Sequence, residues 1–247
     1  YLTETPGNLD AHAVAARLSY FLTGAPPDHE LSQLADTGDV RRKEILLQQA
    51  DRLLEGTGSR RFVEDFAAQW LDLDQINFTE PDNKLYPGFD AIVENSMLDE
   101  TQTYLDTMLR DNLSVNHLIN SDFTFLNSRL ARYYGVPNVT GDELRRCQLK
   151  PEHHRGGVLT QGSILKVTAN GSNTSPVVRG VWISERLLGT PIAPPPGNVP
   201  AIEPDIRGAT TIREQLAKHR QQVSCASCHV KIDPPGFAME NFDPSGR

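Results

Sequence analysis

The sequence predicts a mainly α chain: a helical module over residues 1–150, then a small, loop-rich module over residues 151–247 that includes a proline-rich strap. Three observations lead there. Apolar residues recur at helical spacing between capping residues and Gly or Pro stops through the first half. Residues 136–173 turn rich in Gly, Thr and Asn and lose that periodicity, which marks a module junction. Residues 190–204, TPIAPPPGNVPAIEP, hold six prolines, which neither an interior helix nor a central strand accommodates. With 247 residues and 38% hydrophobic content, the chain can build an ordinary packed core, as one large domain or two modest ones.

The first helix begins after Asp10, runs through Val14, Leu18, Phe21 and Leu22, and stops at Gly24 before Pro26 and Pro27. A second starts near Pro27 and Asp28, carries Leu31 and Leu34, and ends at Gly38. The third spans Asp39 to Gly56 with Ile45, Leu46, Leu53 and Leu54 on one face. Ser59 opens a fourth, whose stripe of Phe62, Phe66, Trp70, Leu71 and Leu73 reads as bundle core. A polar connection from Phe78 to Phe89 leads to a long amphipathic helix from Asp90 to Asp111, through Ile92, Met97, Thr101, Leu105 and Leu109. Its acidic residues Glu94, Asp99 and Glu100 read as a solvated face; a metal cluster with His117 is the weaker alternative, because no E-x-x-H pair accompanies them.

Short helices are expected over Ser114 to Ile119 and Asn127 to Tyr134, the latter closed by Gly135 and Pro137. Helical spacing resumes from Ser175 to Leu188 through Val178, Trp182, Ile183 and Leu187, and Gly189 stops it. The strap that follows interleaves Ile192, Val199 and Ile202 with its prolines, a pattern suited to an ordered arm lying against a neighbouring surface. After it, Thr210 or Thr211 caps a helix through Ile212, Leu216 and His219.

That helix leads into Cys225-Ala226-Ser227-Cys228-His229, the C-x-x-C-H signature of covalently attached c-type haem. The thiols of Cys225 and Cys228 add across the haem vinyl groups, and His229 supplies the proximal iron ligand. A thioredoxin-like redox pair would want a βαβ context, whereas the preceding residues look helical. A structural zinc site would need four ligands, and the remaining cysteine, Cys147, lies far upstream with no partner beside it. The motif therefore implies one covalent haem c. Cys147 is expected to be a buried or inert free thiol.

The net charge of −8 argues against nucleic acid as a partner, since phosphate binding rests on clustered Lys and Arg. It favours a basic redox partner protein. No apolar run approaches the about 18 residues of a membrane span. Haem is joined to C-x-x-C-H on the outer side of the bacterial membrane, so the motif implies an exported protein, periplasmic or at the cell surface. The chain begins at Tyr1 without a signal peptide and stops soon after the motif, as expected of a processed or partial chain.

Several segments together resemble the planctomycete-type multi-domain cytochrome c proteins: FAAQWLDLD (66–74), FLNSRLARYYGV (125–136), RGGVLTQGSIL (155–165), TSPVVRGVWISERLLGTPIAPPPGNVP (174–200) and CASCHVKIDPPGFAMENFDPSGR (225–247). The resemblance covers most of the chain and is specific in order and spacing. It implies two consecutive modules of a larger exported protein assembled mainly from domains of unknown function, and it brings other cytochrome subunits or modules in as partners.

An ordinary small cytochrome c takes its distal Met from well after the motif, yet only residues 230–247 follow His229. Two distal candidates stand out. Residues 229 to 239 span at most about 33 Å, enough to carry Met239 round a haem edge, with Asp233-Pro234-Pro235-Gly236 as the reversal; the family usually has an apolar residue, typically Leu, at position 239. His219 matches a histidine of the family pattern, and ligation by it requires a helix break near Gln222 to Ser224. His117, His153 and His154 are further candidates. Two strong axial ligands favour electron transfer, whereas an open position permits peroxidase-like chemistry, for which Arg155 beside His153 and His154 is the available cation. The leading reading is a monohaem electron-transfer module. A haem enzyme and a structural component of a multihaem assembly are the alternatives.

Overall fold

The structure, a computed structural model, describes residues 7–56, 58–193, 211–221 and 223–247. Most of the strap, from residue 194 to 204, lies outside the described residues, as does Thr210. The chain is mainly α, with one small sheet.

Four helices open the fold, α1 (Ala11–Thr23), α2 (His29–Thr37), α3 (Lys43–Glu55) and α4 (Ser59–Trp70). Asp10 and Asp28 cap α1 and α2 by accepting the backbone N–H groups of Ala13 and Leu31, and Gly24 and Gly38 close them in the left-handed region. Asp28 also receives both terminal nitrogens of Arg52, at 2.7 and 3.0 Å, which ties α3 to the start of α2. Around these contacts Ala15, Leu22, Leu31, Ala35, Val40 and Leu53 form a separate small core.

The stripe expected as bundle core is only partly so: Leu71 and Leu73 are buried, Phe62 and Trp70 pack partly buried against the cores, and Phe66 is exposed. Ser59, Val63 and Ala67 are buried instead, and their small size brings the backbone close to the next long helix, where Arg110 donates to Ser59 at 3.0 Å. Phe62, Phe66 and Trp70, one position round, stack in series with Phe21, with centroids 5.3 to 5.6 Å apart.

Helix α5 (Ala91–Arg110), capped by Asp90, runs through the centre of the molecule. Its buried face is Val93, Ser96, Met97, Glu100, Thr101 and Tyr104, while Ile92 and Leu109 are exposed. Two of the three carboxylates expected in solvent are engaged: Glu94 pairs with the buried Lys166 at 2.9 Å, and Glu100 is only 1% exposed. The α5 sequence alternates so closely between polar and apolar that only the neighbouring strand and helix decide which polar groups go inward. Glu100 accepts hydrogen bonds from Thr124 at 2.5 Å and Tyr134 at 2.7 Å, and a second buried set joins Thr101 to Gln161 and Ser163.

Burial raises the Glu100 carboxyl from the ordinary 4.5 to about 7, against the hydrogen bonds from Thr124 and Tyr134 and the charge of Arg155, which lower it. The folded protein thus keeps a proton that the unfolded chain releases near 4.5. Stability is expected to be highest below that point and to fall by roughly 3 kcal/mol as pH rises through about 7. Denaturant unfolding across this window should show the decline, and Glu100→Gln should flatten it. An equally steep decline in the variant would remove Glu100 as its source.

The sequence periodicity did not announce the sheet. Strand β1 (Phe123–Leu126) pairs antiparallel with β2 (Arg145–Gln148), Phe123 opposite Gln148, with α6 (Ser128–Tyr134) between them. All four β1 residues are buried, so β1 lacks the alternation that identifies a half-exposed strand. Cys147 on β2 is a partly buried thiol whose pKa is raised, mainly by burial.

The second half contributes α7 (Gly162–Val167), α8 (Pro176–Trp182), which continues as a π-helical turn Ile183–Leu187, then α9 (Ile212–His219) and α10 (Val223–Ala238). The largest core joins both halves: Ala67, Leu71, Tyr104, Phe123 and Phe125 pack with Ile164, Leu165, Trp182, Ile183, Met239 and Phe242. Helices α8 and α10 cross through glycines, because a Cβ on Gly180 would lie 2.8 Å from the Ile232 carbonyl carbon and one on Gly236 only 2.6 Å from that of Pro176.

Candidate haem-attachment site

Helix α9 starts with a capping box, in which Thr211 accepts from the Glu214 N–H while the Glu214 carboxylate accepts from that of Thr211. It ends at His219, and α10 begins at Val223, so the helix breaks at Arg220 and Gln221, just before the stretch Gln222 to Ser224 where His219 ligation is expected to need it. Arg213 on α9 lies 4.1 Å over the Phe237 ring of α10, and Arg220 stands 3.5 Å from Asp233 Oδ2. These contacts fold α9 back along α10.

The whole C-x-x-C-H motif sits on α10. Helical geometry brings Cys225, Cys228 and His229, at i, i+3 and i+4, onto one face. Both cysteines are partly buried thiols. His229 has a side chain 15% exposed, and its Nδ1 lies 2.8 Å from Asp233 Oδ1 one turn further on. A carboxylate at Nδ1 favours the tautomer protonated there, which leaves the Nε2 lone pair for a metal. The donor set therefore fits a covalently attached haem: two adjacent thiols and a histidine whose tautomer is set for ligation.

The reversal expected at Asp233-Pro234-Pro235-Gly236 does not occur, since α10 passes through both prolines to Ala238. Pro234 and Pro235 withhold hydrogen bonds from the carbonyls of Val230 and Lys231. Val230 and Lys231 are both exposed residues.

The two distal candidates occupy different surroundings. The His219 ring meets the His229 ring edge to face, with centroids 4.9 Å apart. Met239 is 3% exposed in the main core, and its carbonyl accepts from Arg179 at 2.7 Å; ligation by its sulfur would require withdrawing it from that core. The remaining candidates have other partners. His117 packs on Phe123, although its buried Nδ1 has no hydrogen-bond partner, and His153 accepts from the Lys150 N–H at 3.1 Å within a turn that His154 closes. Arg155, the cation considered for peroxidase chemistry, lies 3.6 Å over the Tyr134 ring and donates to the carbonyls of Thr160 and Gly246, at 2.6 and 2.7 Å. It fastens the C-terminal segment.

Sequence reasoning missed Asp233 and Arg220. The signal for the first was present in the His-x-x-x-Asp spacing on a helix, but it was hidden by reading the Pro-Pro pair as a turn. Among the described residues no group of three or more His, Cys, Asp or Glu side chains is arranged to hold a bare metal ion, and no helix is long and apolar enough to cross a membrane.

Residues 9–136 match the family described as PSD4, protein of unknown function (DUF1592), which covers more than half of the chain. The chain belongs to this family. Residues 155–247, which include all of α10, match PSCyt3, protein of unknown function (DUF1588). This PSD4–PSCyt3 pair is typical of the planctomycete-type multi-domain cytochrome c proteins. No curated protein and no solved structure matches the chain.

Proposed function

We propose that this chain is an exported electron-transfer module with one covalent haem c, anchored by Cys225 and Cys228 and ligated on the proximal side by His229. The observation that carries the reading is the alignment of both thiols and the histidine on one face of α10, with Nδ1 held by a buried carboxylate. The bound haem would supply a one-electron couple. The protein's own work is to present the sulfurs and hold the imidazole. Each thiol adds across a vinyl group, sulfur to one carbon and hydrogen to the other, so attachment consumes no oxidant.

Arg155 is held by the Tyr134 ring and two carbonyls, which favours the carrier over a peroxidase-like enzyme. Periplasmic or cell-surface location follows from where such haems are attached, and the net charge of −8 suits a basic redox partner. The 247-residue chain, exported from a bacterium with haem-attachment machinery, should retain haem absorbance after denaturation and acid–solvent extraction. Cys225→Ser/Cys228→Ser should lose it. A wild-type chain that yields no covalent haem would refute the reading.

A further inference from the structure

Asp233 is fully buried, yet only one of its oxygens is hydrogen-bonded. Oδ1 meets His229 Nδ1 at 2.8 Å. Oδ2 lies 3.5 Å from Arg220 Nε, close enough for ion pairing, but it has no hydrogen-bond donor. An exposed i,i+4 pair stabilises a helix only slightly, whereas removing a carboxylate from water is costly. Helix stabilisation therefore does not account for a buried aspartate here. Its position behind the imidazole does.

We infer that Asp233 is a positioning residue that sets the electron affinity of the haem site through His229, with Arg220 moderating it from the far oxygen. This rests on the haem reading above. A carboxylate that accepts the Nδ1 proton makes the imidazole a stronger donor, and a stronger donor favours ferric over ferrous iron. Asp233 thus holds the reduction potential down. Arg220, by drawing charge toward Oδ2, limits how far.

The test is spectroelectrochemical titration of the haem-loaded chain and its variants. Asp233→Asn should shift the ferric–ferrous equilibrium at least tenfold toward ferrous, an upward change of about 59 mV for one electron. Asp233→Glu, which keeps the charge, should recover part of it. Arg220→Gln should move the potential the opposite way, and this shift should vanish in the Asp233→Asn background if Arg220 acts through the carboxylate. An unchanged potential in folded Asp233→Asn overturns the inference, as does an Arg220→Gln shift that persists undiminished without Asp233. Should Asp233→Asn not fold, an unchanged potential in Arg220→Gln overturns it equally. All of these outcomes leave the attached haem in place, whereas absence of covalent haem from the wild-type chain defeats the functional reading itself and this inference with it.

Discussion

Replacing Gly236 by alanine is expected to destabilise the chain by about 2 kcal/mol or more, measured as a lowered midpoint in denaturant unfolding. Two effects of opposite sign compete. Alanine is the better helix former by about 1 kcal/mol. Against that, the added Cβ would sit 2.6 Å from the Pro176 carbonyl carbon and 3.0 Å from the Gly180 nitrogen. These are backbone atoms of α8, which no rotamer change can clear, so the helices must separate, and overpacking of this kind costs about 1–3 kcal/mol or more. The clash therefore wins. Gly180→Ala meets Ile232 from the other side of the crossing and should behave alike. The double variant should cost less than the sum, because helices already parted by one methyl accommodate the second. Additive losses would show that the two glycines do not share one crossing. Since α10 carries the haem motif, loosening this crossing should also loosen the site.

Arg179→Leu is expected to cost about 3–5 kcal/mol in the same measurement. The guanidinium is completely buried and donates to the carbonyls of Met239 and Phe242 and to the Glu240 carboxylate, at 2.7, 3.0 and 2.9 Å. Leucine fills part of the volume but leaves these acceptors unmet, and an orphaned partner of a buried ion pair accounts for losses of that size. Thr174 still donates to Glu240 at 2.6 Å, which offsets only part of the deficit. Arg179→Lys should recover a minority of the stability, because an ammonium lacks the planar fork that reaches several acceptors at once. Near-wild-type unfolding of Arg179→Leu would mean that the segment 239–243 is held by the core packing of Met239 and Phe242 alone.

The helices were legible wherever their signals are local. Asp10, Asp28, Asp90, Asn127, Ser175 and Thr211 each cap the helix that the sequence places after them, because a cap involves residues only two or three positions apart. Which face of each helix turns inward was less legible. On α4 the buried positions are the small ones, and on α5 they include Glu100. Helical spacing proposes a stripe, but the neighbouring element chooses it, and a close neighbour selects small residues over aromatic ones.

The candidate site divides in the same way. Cys225, Cys228 and His229 lie within five positions of one another, and their shared face follows from helical geometry alone, so the sequence by itself placed two thiols and an imidazole together. It also determined the mainly helical class and the starts of the helices with a side-chain cap, which depend on contacts within one turn of backbone. The tertiary structure decided that the helix runs on through Pro234 and Pro235, that Asp233 lies buried behind His229, and that Met239 sits in the core. It also decided that Arg179 binds the C-terminal segment and that α8 meets α10 at glycines. The α8–α10 and Arg179 contacts join residues some fifty or more positions apart in the chain, and burial itself depends on what packs above a side chain; neither is encoded at any single position.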